Sequence, residues 1–131
     1  MCIFCKIIEG EIPSSKVYED DEFLAILDLS QTTKGHTLVM PKKHYANILE
    51  MPSDEVGKLM SKTQLIAKKI VKNMNAKGCN ILINTSKEAG QTIEHTHVHI
   101  IPRYSEDDSI KIEFSENKED LNAILRQIDA Q

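Results

Sequence analysis

Residues 95–101 read HTHVHII, so His95, His97 and His99 occupy alternate positions in a chain with five histidines. In a strand, successive side chains point to opposite faces, which would put the three imidazoles on one face, about 6.6 Å apart. On a helix, residues two apart do not face each other. The isoleucine pair and Pro102 favour the strand. Three chemistries fit the spacing. A row of half-buried histidines could be structural, although each ring nitrogen then needs a hydrogen-bond partner. Two of the three could hold a catalytic metal, with His36 or His44 completing it. Alternatively, one neutral imidazole could attack a phosphoryl centre while its neighbours orient it. Neutral histidine is a good nucleophile near pH 7 and forms a labile phosphoramidate.

A second chemical spacing is the C-x-x-C of Cys2 and Cys5. The segment MCIFCKIIEGEIP lacks the basic and long apolar regions of a secretory leader. No stretch approaches the roughly 18 apolar residues of a membrane span. The expectation is a cytoplasmic protein, with no membrane partner, whose three cysteines stay reduced. In that setting the pair points to metal or redox chemistry; the plain alternative is two small residues on a short buried helix. A formal net charge of −4 argues against nucleic acid as a partner. It leaves room for a small phosphate-bearing ligand, because local charge can oppose the net sign.

The elements that must position these residues can be read from periodicity. Length and balance, 131 residues with 40% hydrophobic and 27% charged, fit a single domain with its own core. Ile3, Phe4, Ile7 and Ile8 have helical spacing, and Gly10 and Pro13 end that helix. SKVYED and EFLAILD read as short strands around an acidic turn, QTTKG as a loop, and HTLVMP as a third strand. Residues 53–76 form the long helix, with Val56, Leu59, Met60, Thr63, Ala67, Ile70 and Met74 on one face. Ser53 is its expected N-cap, and its last lysines face solvent. CNILIN is a strand beginning at Cys79, an expected buried thiol. KEAGQTIE is a loop, HTHVHIIPRY the last strand, and Leu121–Ile128 a short amphipathic helix. This is an α+β layout: an antiparallel sheet of about five strands, one long helix and short terminal helices.

HTHVHII resembles the His-φ-His-φ-His-φ-φ signature of the histidine triad (HIT) family, with Thr96 the one weakly apolar φ position. CIFCKIIEGEIPSSKVYEDDEFLAILD, KGHTLVMPKKHY and AGQT resemble other parts of the same family. The likeness covers roughly residues 2–104 of one domain spanning 1–131, and leaves a divergent acidic tail at 105–131. The branch it most resembles is the Hint-like, nucleotide-binding one.

That resemblance implies a purine nucleotide or nucleotidyl conjugate as ligand, cleaved at its α-phosphorus. His97 would be the nucleophile, forming a nucleotidyl-histidine, and His99 and His36 would bond phosphate oxygens. Thr92, where a serine is common, keeps a hydroxyl for the leaving group. Asn84, Gly90 and Gln91 would lie on the phosphate side, and Asp28 would accept from the ribose hydroxyls. Ile3, Phe4, Ile7, Ile26 and Leu27 would wall the base. Some relatives hold a structural zinc through residues matching Cys2, Cys5, His44 and His95, and the family is usually a homodimer. Glu94 departs from the pattern, standing where an uncharged residue is common. The alternatives are a nucleotide-binding scaffold with little turnover, a dinucleoside polyphosphate hydrolase, and a metal-dependent hydrolase.

Overall fold

The computed structural model describes residues 2–130. It begins with helix α1 (Ile3–Ile8), whose N-cap is Cys2, its sulfur accepting from the Cys5 amide. Gly10 at φ 81° closes the helix, and its N–H returns to the Ile7 carbonyl. Five strands follow: β1 (Lys16–Glu19), β2 (Phe23–Leu27), β3 (Thr37–Pro41), β4 (Gly78–Leu82) and β5 (Val98–Arg103). They form one sheet in the order β1-β2-β3-β5-β4, every neighbour antiparallel. Helix α2 (Ser53–Asn73) lies between β3 and β4 in the chain, and α3 (Leu121–Asp129) ends it. The acidic turn between β1 and β2 forms because Asp20 Oδ1 accepts from both the Glu22 and Phe23 amides.

Strand alternation divides the core into two layers. Phe23, Ala25, Val39, Val98 and Ile100 face α2 and pack on Leu59, Ile66, Ala67 and Ile70. Leu24, Ile26, Leu38 and Met40 point the other way and pack on Phe4 and Ile7 of α1. Leu24, Met40, Leu59 and Ile100 are fully buried, so truncating any one to alanine costs about 2–5 kcal/mol. Thr63 also belongs to the buried face of α2, where its hydroxyl is satisfied by the Leu59 carbonyl.

The structure departs from these expectations at three points. Ser53 is the first residue of α2 rather than its cap: Pro52 holds that place, with no side-chain bond, and its carbonyl accepts from Val56. The last strand starts at Val98 instead of His95. Thr96 N–H is taken by the Tyr45 carbonyl at 2.7 Å, which draws residues 95–97 out of the ladder. Cys79 is half-buried rather than enclosed. In the acidic tail, α3 is capped by Asp120 but buries none of its residues, and Leu121, Leu125 and Ile128 are exposed. No helix of the described residues is long and apolar enough to cross a membrane.

Candidate functional site

The histidines lie on the α1 side of the sheet. His99 stands in β5 opposite Leu38 of β3 and Leu82 of β4. Leu38 belongs to the α1-facing layer, so His99 faces that way too. Two residues upstream, His97 is nearly buried and meets the edge of the Phe4 ring at 5.0 Å and the His99 ring at 5.1 Å. α1 therefore packs against His97 as well as forming part of the core.

Backbone carbonyls decide which nitrogen each histidine offers. His97 Nδ1–H donates to the His95 carbonyl at 2.7 Å, which leaves Nε2 as a bare lone pair. His95 uses the opposite atom: its Nε2–H donates to the Pro41 carbonyl at 2.8 Å and its Nδ1 carries the lone pair. Burial above all holds both imidazoles below the ordinary value, against the lift from these bonds. His99 is pushed down to about 4, by burial first and then by His97 and His36. All three are neutral at pH 7.

His95 Nδ1 faces Cys2 Sγ at 3.5 Å, Cys5 Sγ at 3.6 Å and His44 Nδ1 at 3.1 Å. His44 Nδ1 lies 3.7 and 3.4 Å from the same two sulfurs, which are 3.0 Å apart. Six edges of this length outline a tetrahedron with a centre about 2 Å from each donor, the reach of a metal–nitrogen or metal–thiolate bond. These residues could hold a metal ion, and the Pro41 carbonyl already fixes the His95 tautomer that ligation needs.

The other cluster is Asp28, His36 and His99. His36 Nε2 is 2.9 Å from His99 Nδ1 and 3.6 Å from Asp28 Oδ2. The Thr32 amide donates to His36 Nδ1 at 3.3 Å, so the His36 proton sits on Nε2 and is donated to His99 Nδ1. A donated proton between the two rings makes this a hydrogen-bond chain rather than a metal site. It leaves His99 with its own proton on Nε2.

Comparison with known proteins shows the family. The HIT domain family model matches residues 9–106. An uncharacterized HIT-like protein of Methanocaldococcus jannaschii is 46% identical over 129 residues, covering 98% of each chain. The chain belongs to the HIT family. A second relative, the adenylylsulfatase HINT3 of Arabidopsis thaliana, is 48% identical over 106 residues, 81% of this chain and 54% of that protein. Among solved structures, a zinc-bound histidine triad family protein of Mycobacterium smegmatis superposes with a TM-score of 0.78. It is 38% identical, covering 98% of this chain and 95% of that one.

Within this HIT fold the remaining expected residues divide. Phe4, Ile7 and Ile26 lie in the buried α1-side layer, and Ile3 is half exposed at its rim. Leu27 does not join them. It follows Phe23 and Ala25 onto the α2 side, lining a small recess with Ile70 and Met74, so it cannot wall a base held near His97. Gln91 is also redirected. Its amide donates to the Ala46 and Ile93 carbonyls and accepts from the Ser86 amide, bracing the loop rather than reaching a phosphate. Gly90, at φ 96°, lies in the left-handed region, and a Cβ there would meet the Asn84 amide at 3.6 Å. Thr92 is exposed, and with Gly90 and Glu94 it lines an open groove beside Asn47 and Glu50. Glu94 thus faces solvent.

For the pair His95 and His97 the metal-hydrolase reading fails on direction: the two rings offer opposite nitrogens. Three partners of the site had no signal in the sequence, namely the Pro41 and His95 carbonyls and the Thr32 amide. Every residue carries such groups, and only the fold aims them.

Proposed function

We propose that this HIT protein is a nucleotidyl hydrolase or transferase that cleaves purine nucleoside phosphoramidates or related conjugates at the α-phosphorus. The observation that carries this reading is the His97 tautomer: with Nδ1–H held by the His95 carbonyl, a neutral Nε2 lone pair stands in a buried site. Nε2 forms a bond to phosphorus as the bond to the leaving amine breaks. The departing nitrogen takes a proton from solvent, relayed by the exposed Thr92 hydroxyl. Water then attacks phosphorus, breaks the phosphorus–nitrogen bond, gives its proton back to solvent, and releases the nucleoside monophosphate with His97 neutral again. His99 Nε2–H donates to a phosphate oxygen where negative charge builds, and His36 holds His99 in that tautomer. Asp28 takes the ribose hydroxyls, its Oδ1 already oriented by the Ser30 amide. Phe4 and Ile26 form the apolar side of the base pocket. A relative bearing the name adenylylsulfatase supports an enzyme acting on an adenylyl conjugate.

Zinc is the metal that suits two thiolates and two imidazoles in a tetrahedron. Held by Cys2, Cys5, His44 and His95, it would tie α1 to the end of β3 and the triad segment. Its chemistry there is structural, since four protein donors leave no open position. A cytoplasmic setting suits three cysteines without disulfides. A homodimer suits the exposed apolar face of α3 together with Phe114.

The test is His97→Ala assayed against a purine nucleoside phosphoramidate, with the product identified. Loss of turnover with retained nucleoside monophosphate binding is the expected result. Unchanged turnover removes His97 as nucleophile. Tight binding by the wild type with negligible turnover assigns a binding protein instead.

A further inference from the structure

The connection between β2 and β3 runs from Asp28 to His36 and carries site residues at both ends. Between them lies Gln31, an exposed residue whose side chain closes the connection on itself. Its Nε2 donates to the Asp28 carbonyl at 2.6 Å and to the His36 carbonyl at 2.8 Å. Its Oε1 accepts from the Gly35 amide at 2.8 Å and the His36 amide at 3.1 Å. The partners leave no ambiguity about which amide atom is which, because two are donors and two are acceptors. All four bonds go to backbone, so Gln31 sets the path of the chain between the expected ribose acid and His36.

That path is what brings the Thr32 N–H to His36 Nδ1 at 3.3 Å. The contact has one possible direction, since a backbone amide only donates. Were His36 protonated on Nδ1, two donors would face each other, and the proton between His36 and His99 would have to run the other way. The order Thr32 N–H to His36 Nδ1, then His36 Nε2–H to His99 Nδ1, is thus imposed from the loop end. It leaves His99 Nε2 as the ring atom that carries a proton toward the ligand.

We propose that Gln31 is a positioning residue that fixes the proton order of the Thr32–His36–His99 chain by clamping the β2–β3 connection. The proposal rests on the phosphoryl-transfer reading for its catalytic consequence, though not for its structural one. Thr33, whose hydroxyl reaches the Pro102 carbonyl at 2.6 Å, ties the same loop to β5. A Gln31 variant therefore loosens the path without detaching the loop.

The experiment uses the full chain as purified, labelled with nitrogen-15, and reads the imidazole tautomers by long-range nitrogen–proton correlation. The wild type is expected to show His36 and His99 both protonated on Nε2. Gln31→Met keeps the side-chain length and removes all four bonds; a mixture of tautomers at His99 is the expected result. In the same variant, kcat for a purine nucleoside phosphoramidate is expected to fall about tenfold or more. Nucleoside monophosphate affinity should change by less than about twofold. Gln31→Glu keeps the acceptor but sets a second carboxylate oxygen against the Asp28 and His36 carbonyls, so it should also mix the His99 tautomers; it decides the question if the methionine variant loses helix content. Wild-type tautomers in both variants overturn the proposal, whatever kcat does. The tautomer arm needs no substrate. If the wild type turns over no phosphoramidate, the proposed function falls while the proton order is still decided.

Discussion

His95 and His97 are two residues apart, just ahead of β5, yet they serve different clusters. His95 gives Nε2–H to Pro41 and turns Nδ1 to Cys2, Cys5 and His44. His97 gives Nδ1–H to the carbonyl of His95 itself and keeps its lone pair on Nε2. One cluster has the geometry of a closed metal site; the other is a chain of donated protons ending at His99. The difference teaches that a histidine's role is set by the backbone acceptor it meets, since a neutral imidazole has one donor and one acceptor and using one atom fixes the other. Phe4 stands edge-on to both rings, with centroids 6.0 Å and 5.0 Å away.

The sharpest way to break this division is at His97, the proposed nucleophile. His97→Ala is expected to lower kcat by on the order of 10⁴-fold or more while leaving the Cys2–Cys5–His44–His95 cluster and thermal stability in place. Turnover and metal content on one sample check both halves. Next is the metal side. Cys5→Ser is expected to abolish tight zinc binding and to lower unfolding free energy by about 4 kcal/mol, the effect of a ligand present at a thousand times its Kd. Because α1 carries Phe4 and Ile7, KM should rise, and kcat should suffer far less than in His97→Ala. Equal losses of kcat in the two variants would merge the clusters into one catalytic unit.

A smaller effect is expected at the ribose. Asp28→Asn should weaken binding of a ribonucleoside monophosphate about ten- to hundredfold and that of its 2′-deoxy counterpart less, read by calorimetry. The smallest effect is on the pH profile. Burial lowers His97 from 6.5, and the attacking form is the neutral one. Activity should therefore persist below pH 6.5 and be lost as the pH falls through the depressed value. A kcat/KM limb at or above 6.5, on protein of unchanged metal content, would show that the site does not shield His97.

Much of this molecule was legible in its residues. The spacing of Ile3, Phe4, Ile7 and Ile8 marked α1, and the apolar stripe from Leu59 to Ile70 marked α2, because period 3.6 survives any tertiary context that buries one face. Short apolar runs in FLAIL and TLVMP, bounded by the acidic turn and by Pro41, marked strands, and the family resemblance proposed both clusters by residue. Leu27 lies in the same layer as Phe23 and Ala25, where its strand period puts it, and not beside the base-wall residues that the resemblance implies. Gln91 and Gln31 show a different limit. A glutamine in a loop looks like a solvated side chain until the loop closes on it.

What the sequence by itself determined was the inventory of chemistry and its local order: three alternate histidines, a C-x-x-C, a helix with one apolar face, strands with two. Those follow from covalent spacing and side-chain period. The tertiary structure decided the directions. It placed the Pro41, His95 and Tyr45 carbonyls and the Thr32 amide where they select a tautomer or end a strand. These backbone groups are present at every position in any chain. Their aim depends on the pairing of β2, β3 and β5 across long sequence separations, which no local pattern encodes.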